Sequence, residues 1–176
     1  MSTTATRRAW YLALGLGIFA AAACQPAATP PAAPDYAAVQ QPALDALLDG
    51  WNNGNLDGLD AVSSPDFQRR SPGGTSDANS LAEMKEVVTA FRTTYPDFNV
   101  ALSEVYHLEN LAIGHWTATG TNTGPGDIPP TGKAVRITGM AMLRFIDGKL
   151  TEELAYFDMA DWMTQLGYTI EPPAAE

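Results

Sequence analysis

The chain has 176 residues, with 20 acidic and 10 basic side chains and a net charge of −10. That balance argues against nucleic acid and against a peripheral grip on anionic lipid, since both would meet like-charge repulsion. A single cysteine excludes an internal disulfide, so burial of apolar surface has to carry the fold.

The chain begins with a processing segment. Arg7 and Arg8 precede "AWYLALGLGIFAAAA", an uncharged apolar run that ends in small residues, as an export signal does. The run is short for a membrane span, which needs roughly 20 apolar residues. Cys24 follows directly, and "AAAC" resembles a bacterial lipobox with Ala21 in place of the usual leucine. On this reading residues 1–23 are a signal peptide and Cys24 is lipidated. The exported protein is then lipid-anchored to the bacterial cell envelope, at the periplasmic face or the cell surface. "TRRAWYL" also resembles a twin-arginine signal, and an ordinary signal peptide with an incidental cysteine is the plainer alternative. "QPAATPPAAPD" has no large apolar residue, so residues 24–35 read as the lipidated cysteine and an extended Pro/Ala-rich tether. Removing residues 1–23 takes two arginines and no acids, leaving 8 basic against 20 acidic residues, or −12.

The folded part is expected over residues 36–170, with 171–176 a disordered tail. Val39, Leu44, Leu47, Leu48 and Trp51 recur at helical spacing, Pro42 either starts or kinks that helix, and Asn53-Gly54 ends it. "NGNLDG" mimics the opening of a calcium loop, but Ser64 stands where the bidentate glutamate belongs, so a helix end and a second short helix are expected. "PDFQRRSPGG" reads as a short strand and turn. Ser80 and Glu83 form a capping box for a helix whose buried stripe is Leu81, Met84, Val87, Val88 and Phe91. Four strand-like segments follow, with tight turns at Glu109-Asn110 and Asp147-Gly148, then a last helical turn over Met159–Leu166 ending at Gly167. Helices followed by an antiparallel meander give an α+β fold.

The loop "TGPGDIPPTGKAVRI" contains a "TGK" that suggests a phosphate cradle. Asp127 occupies the position of the first glycine, Ala134 lacks the magnesium-binding hydroxyl, and Pro129 and Pro130 offer no N–H groups. The phosphate reading fails on chemistry. Zinc-ligand spacing and a Gly-x-Ser-x-Gly elbow are both absent, so neither metal nor another cofactor is expected.

"YPDF", "WTATGTNTG", "PPTGK", "RFIDGKLTEE", "FD" and "QLG" stand in an order and spacing that resemble the SnoaL-like polyketide cyclases, also called the ester cyclase family, of the nuclear-transport-factor-2-like superfamily. The resemblance spans about residues 36–167. It implies a cone-shaped α+β barrel, a curved, mostly antiparallel sheet closed by three N-terminal helices around an apolar pocket. It implies no cofactor and no metal, and an acidic residue on the last strand as acid/base for ring closure by aldol condensation. Asp158 occupies the matching position.

Period two also groups Glu152, Leu154, Tyr156 and Asp158 on one strand face, opposite Glu153, Ala155 and Phe157. A carboxylate among Leu154 and Tyr156 in an apolar pocket would have its pKa raised toward that of a general base. The other reading makes Asp158 the N-cap of the terminal helix. The chain departs from the family at Asn122, where a histidine is usual, at His115, where an arginine is usual, and at Leu154, where a tryptophan is common. Trp116 and Asn122 share parity and are expected inside; His115 lies opposite, as a surface histidine or the remaining relay candidate, and His107 is expected in solvent. The reading that follows is a tethered pocket protein performing proton-transfer chemistry, of cyclase, isomerase or lyase type, on a small apolar carbonyl compound. A non-catalytic ligand-binding or dimeric interaction module is the alternative. No nucleic-acid partner is expected, and strands apolar at both parities point to a homodimer through the outer sheet face.

Overall fold

The computed structural model describes residues 34–171. The expected signal peptide and lipidated Cys24, most of the expected tether and residues 172–176 lie outside the described residues. Among those described, no helix is long and apolar enough to cross a membrane.

Helix α1 spans Tyr36–Asn53 and is capped by Asp35, whose carboxylate accepts the Ala38 N–H at 3.1 Å. Pro42 sits inside it, so the helix begins before the proline. Leu44, Leu47 and Trp51 are buried, whereas Val39 is left exposed. Gly54, at φ 75°, ends the helix by donating its N–H to the Gly50 carbonyl. Asp49 accepts from the Asn53 and Asn55 amides at 2.6 and 2.7 Å, so the apparent calcium-loop residues tie off a helix end. Helix α2 (Gly58–Val62) leads into strand β1 (Ser63–Arg70), and a short 3₁₀ turn follows at Pro72–Gly74.

Helix α3 spans Leu81–Thr94. Ser80 Oγ accepts from the Glu83 N–H at 3.1 Å, while the Glu83 carboxylate reaches past Ser80 to the Asn79 N–H at 2.7 Å. The capping box thus closes one residue further out than its sequence signature implies. Strands β2 (Asn99–Leu108), β3 (Leu111–Thr121), β4 (Ala134–Ile146) and β5 (Lys149–Phe157) form the antiparallel meander, and helix α4 is Met159–Gln165. Asp147 and Gly148 have φ of 50° and 75°, as the mirror-image hairpin turn requires.

Strand β1 joins the meander by pairing in parallel with β5, giving one mixed, mostly antiparallel sheet of order β1-β5-β4-β3-β2. The curved sheet is not closed strand to strand, since β1 and β2 are its edges; helices cover its concave face, α1 packing on β2 and α3 on β1. Register shifts place an extra residue at Ser103 in β2 and at Thr151 in β5. Such bulges bend and twist a strand, which curves this sheet around its helices. The second bulge also exchanges which residues of β5 point inward.

Candidate active site

The concave face and the helices above it line a cavity that opens to solvent at one side. Helix α1 contributes Leu44, Leu47, Leu48 and Trp51; α3 and the turn after it contribute Phe91, Tyr95 and Phe98. The sheet supplies Val100 and Leu102 from β2, Trp116 and Ala118 from β3, Ile137 and Ala141 from β4, and Ala155 and Phe157 from β5. Ala141 and Ala155 are register partners, so the middle of the sheet wall is low and leaves room for a ligand.

Aromatic rings run along one side. Trp51 meets Phe91 edge-on at 5.6 Å, Phe91 stacks with Trp162 at 5.8 Å, and Phe157 joins Trp162 at 5.7 Å and Trp116 at 6.0 Å. Offset and edge-on rings at these separations are favourable beyond their buried area, so the wall holds its shape without a ligand.

Polar groups enter this lining at two places. Trp162 Nε1 donates to Tyr95 Oη at 3.2 Å, and burial pushes the Tyr95 phenol above its ordinary pKa although that bond lowers it. On the other side, Arg69 of β1 and Glu153 of β5 are register partners, both buried, with Arg69 Nε donating to Glu153 Oε2 at 3.2 Å. Arg69 Nη1 donates to the Ser76 carbonyl at 2.9 Å and also to Ser76 Oγ. The guanidinium carbon lies 5.5 Å from the centre of the Trp51 ring, a cation–π contact that fixes its plane. A buried charge needs partners of this kind to persist at all.

The family model for the SnoaL-like polyketide cyclases matches residues 41–166. The chain belongs to that family. Its fold is shared with TsrD from Streptomyces laurentii, at 23% identity and a TM-score of 0.66 over 77% of this chain and 98% of that one. AclR from Streptomyces galilaeus is similar at 25% identity and TM-score 0.64 over 78% and 90% of the two chains. IdmH from Streptomyces antibioticus is similar at 23% identity and 0.63 over 73% and 99%. No curated protein matches the chain.

Within this SnoaL-like framework the residues expected at the site are divided. Trp116 lines the cavity. Asp158 does not: it is exposed, and its carboxylate accepts the Asp161 N–H at 2.9 Å as the N-cap of α4. Tyr156, expected inside, is 59% exposed, and Leu154 lies on the same outer face. Glu152 shares that face and pairs with Arg144 at 2.9 Å. The grouping of alternate residues was sound, but the inward set is Glu153, Ala155 and Phe157, because the Thr151 bulge turns the strand over after buried Leu150. Asn122 is fully buried yet does not line the cavity. Its Oδ1 accepts the Thr131 N–H at 2.7 Å, and its backbone bonds to Gly132 and Lys133, closing the hairpin loop of residues 122–133.

His115 is on the outer face, where Nδ1 meets Ser103 Oγ at 2.8 Å. His107 is only partly in solvent. Its Nδ1 lies 2.8 Å from Oε1 of buried Gln40, whose Nε2 donates to the Leu108 carbonyl at 2.6 Å. Gln40 therefore accepts from His107, which puts the imidazole proton on Nδ1. Arg69, Ser76 and Glu153, with Tyr95 and Trp162 opposite, are the polar groups of the lining that sequence reasoning missed. The available signal was β1 itself: an arginine in "FQRR" on the same face as buried Phe67 needs an inward acid. Among the described residues no group of three metal-ligating side chains occurs.

Proposed function

We propose that the protein, tethered to the cell envelope through a lipid on Cys24, holds a small apolar carbonyl compound in this cavity. The observation that carries the reading is the lining: aromatic and aliphatic walls interrupted by one charged cluster, Arg69–Glu153–Ser76. Pockets of this composition bind by desolvation and orient their ligand through a few polar groups. Titration with small ketones, followed by quenching of tryptophan emission, tests it, since three of the four tryptophans line the cavity. Saturable quenching that Ala155→Trp abolishes by filling the cavity is the supporting outcome; quenching that survives the filled cavity overturns the reading.

Proton transfer is the finer part of the proposal, and Glu153 replaces Asp158 in it. Glu153 is the one carboxylate among the described lining residues. It would take a proton from the carbon next to the carbonyl, becoming a carboxylic acid while the electron pair moves to oxygen as an enolate, and then return the proton. Solvent deuterium entering that carbon in the wild type but not in Glu153→Gln supports the step. Equal exchange in both leaves a binding module, the alternative that the exposed position of Asp158 already favours.

A further inference from the structure

The Arg69–Glu153 contact is one-point. Arg69 uses Nε toward Glu153 Oε2 and Nη1 toward Ser76, and among the described residues neither Arg69 Nη2 nor Glu153 Oε1 forms a hydrogen bond. Neither atom is among those fully cut off from solvent without a partner, although both residues are buried and line the cavity. Covalent geometry limits how far apart the two atoms lie: Nη2 is joined to Nε through one carbon, and Oε1 to Oε2 through another, across the 3.2 Å contact. The cavity wall therefore presents an unused donor beside an unused acceptor, held in place by the Ser76 bonds and the Trp51 ring.

An unpaired polar atom at the edge of an apolar cavity discriminates strongly, because a ligand that fails to complete it leaves it both desolvated and unmatched. We propose that Arg69 and Glu153 together read the ligand's head: an uncharged carbonyl that carries its own N–H or O–H, as in a primary amide or a hydroxy ketone. The carbonyl oxygen accepts from Arg69 Nη2 and the ligand's hydrogen goes to Glu153 Oε1, while the apolar body lies along the Trp51–Phe91–Trp162 rings. A ligand carboxylate is disfavoured, since it would bring a second negative charge against Glu153. The inference rests on the pocket reading above and adds the chemistry of the head.

The test is isothermal titration of the full chain with three probes of similar skeleton. 4-Phenylbutanamide offers acceptor and donor, methyl 4-phenylbutanoate offers the acceptor alone, and butylbenzene offers neither. The amide is expected to bind about tenfold more tightly than the ester. In Arg69→Met/Glu153→Leu, which replaces a buried pair by apolar groups of similar size and so tends to preserve folding, that preference is expected to fall to about one while butylbenzene still binds. Equal binding of amide and ester by the wild type overturns the head-group assignment and leaves the pocket reading intact, and this comparison needs no variant. A preference that persists in the double variant also overturns it. Failure of all three probes to bind overturns the pocket reading and this inference together.

Discussion

At the scale of single residues, Asp158 illustrates how one carboxylate can satisfy two readings until its surroundings are known. It sits at the junction of β5 and α4, where a strand residue would face a cavity and a cap residue faces the helix N–H groups. Its bond to the Asp161 N–H accounts for it fully. Asparagine caps a helix about as well as aspartate, whereas alanine at such a site costs about 1 kcal/mol. Urea denaturation is therefore expected to show Asp158→Asn close to wild type and Asp158→Ala less stable by roughly that amount, with ligand affinity unchanged in both. A loss of affinity in Asp158→Asn with stability intact would return this residue to the site. Tyr95 gives a prediction in pH. Its folded-state pKa is raised above the ordinary 10.0, chiefly by burial, so its protonated form is favoured in the native state. Stability from this term is complete below the unfolded pKa and is lost as pH rises through the folded one. Tyr95→Phe strands the Trp162 N–H and is expected to lower stability at neutral pH, yet between pH 9 and roughly 11 it should lose less than the wild type does. Parallel urea midpoints across that range measure the difference.

At the scale of elements, much was legible because local chemistry and tertiary structure agree. The Ser80 cap, the Leu81–Met84–Val88 stripe, the Gly54 stop and the Asp147-Gly148 turn each have one favourable conformation, and each adopts it. What was not legible depends on single inserted residues. Thr151 has nothing in its chemistry to announce a bulge, yet it decides that Glu153 and not Glu152 meets Arg69. Apolar Leu154 and Tyr156 therefore misled: their hydrophobicity suits an interior, and they are outside. Asn122 is buried away from the cavity, and its Oδ1 partner is a backbone N–H of its own loop, which no spacing rule exposes. That bond gives the element-scale prediction. Asn122→Ala would leave the Thr131 N–H half-buried without its acceptor, at a cost of about 1–3 kcal/mol. The loop also leans on α3 through the Gly124 N–H to the Thr94 carbonyl, so it should stay docked there while opening at its base. Hydrogen exchange is expected to accelerate at Thr131 and Gly132 and to stay slow at Gly124; unchanged protection at all three would show that Asn122 is not the clasp.

At the scale of the whole molecule, two surfaces outside the cavity remain to be assigned, one at each level of attachment. The first is the membrane. The attachment proposed above is covalent, and a charge of −12 on the chain without residues 1–23 opposes direct binding to anionic lipid. Cys24→Ser is expected to move the protein to the soluble fraction or leave its signal uncleaved, and mass spectrometry of the wild-type N-terminus should find the acyl groups; an unmodified thiol with unchanged fractionation refutes the anchor. The second is the convex sheet face. Tyr106, Met140 and Tyr156 are each half or more exposed there, and strand register links them into one patch: Tyr106 pairs with Ile113, Ile113 with Met142, Met142 with Leu154, and Met140 with Tyr156. Apolar side chains on adjoining strands form a continuous surface of the kind that monomers seldom leave in water. A second copy of the chain is the simplest cover, because a two-fold axis can bring the patch against itself and no complementary partner has to exist. The ion pair of Arg144 with Glu152 borders the patch, and Glu104 on the same face accepts from Tyr106 Oη at 3.5 Å, so that carboxylate has to stay at the rim of such a contact. Sedimentation at micromolar concentration is therefore expected to give a dimer for the wild type. Tyr156→Arg places a charge within the patch and should give a monomer whose thermal unfolding and ligand affinity are close to wild type, since Tyr156 does not line the cavity. A wild type that sediments as a monomer, or a Tyr156→Arg protein that remains dimeric, would move the self-association surface away from this sheet.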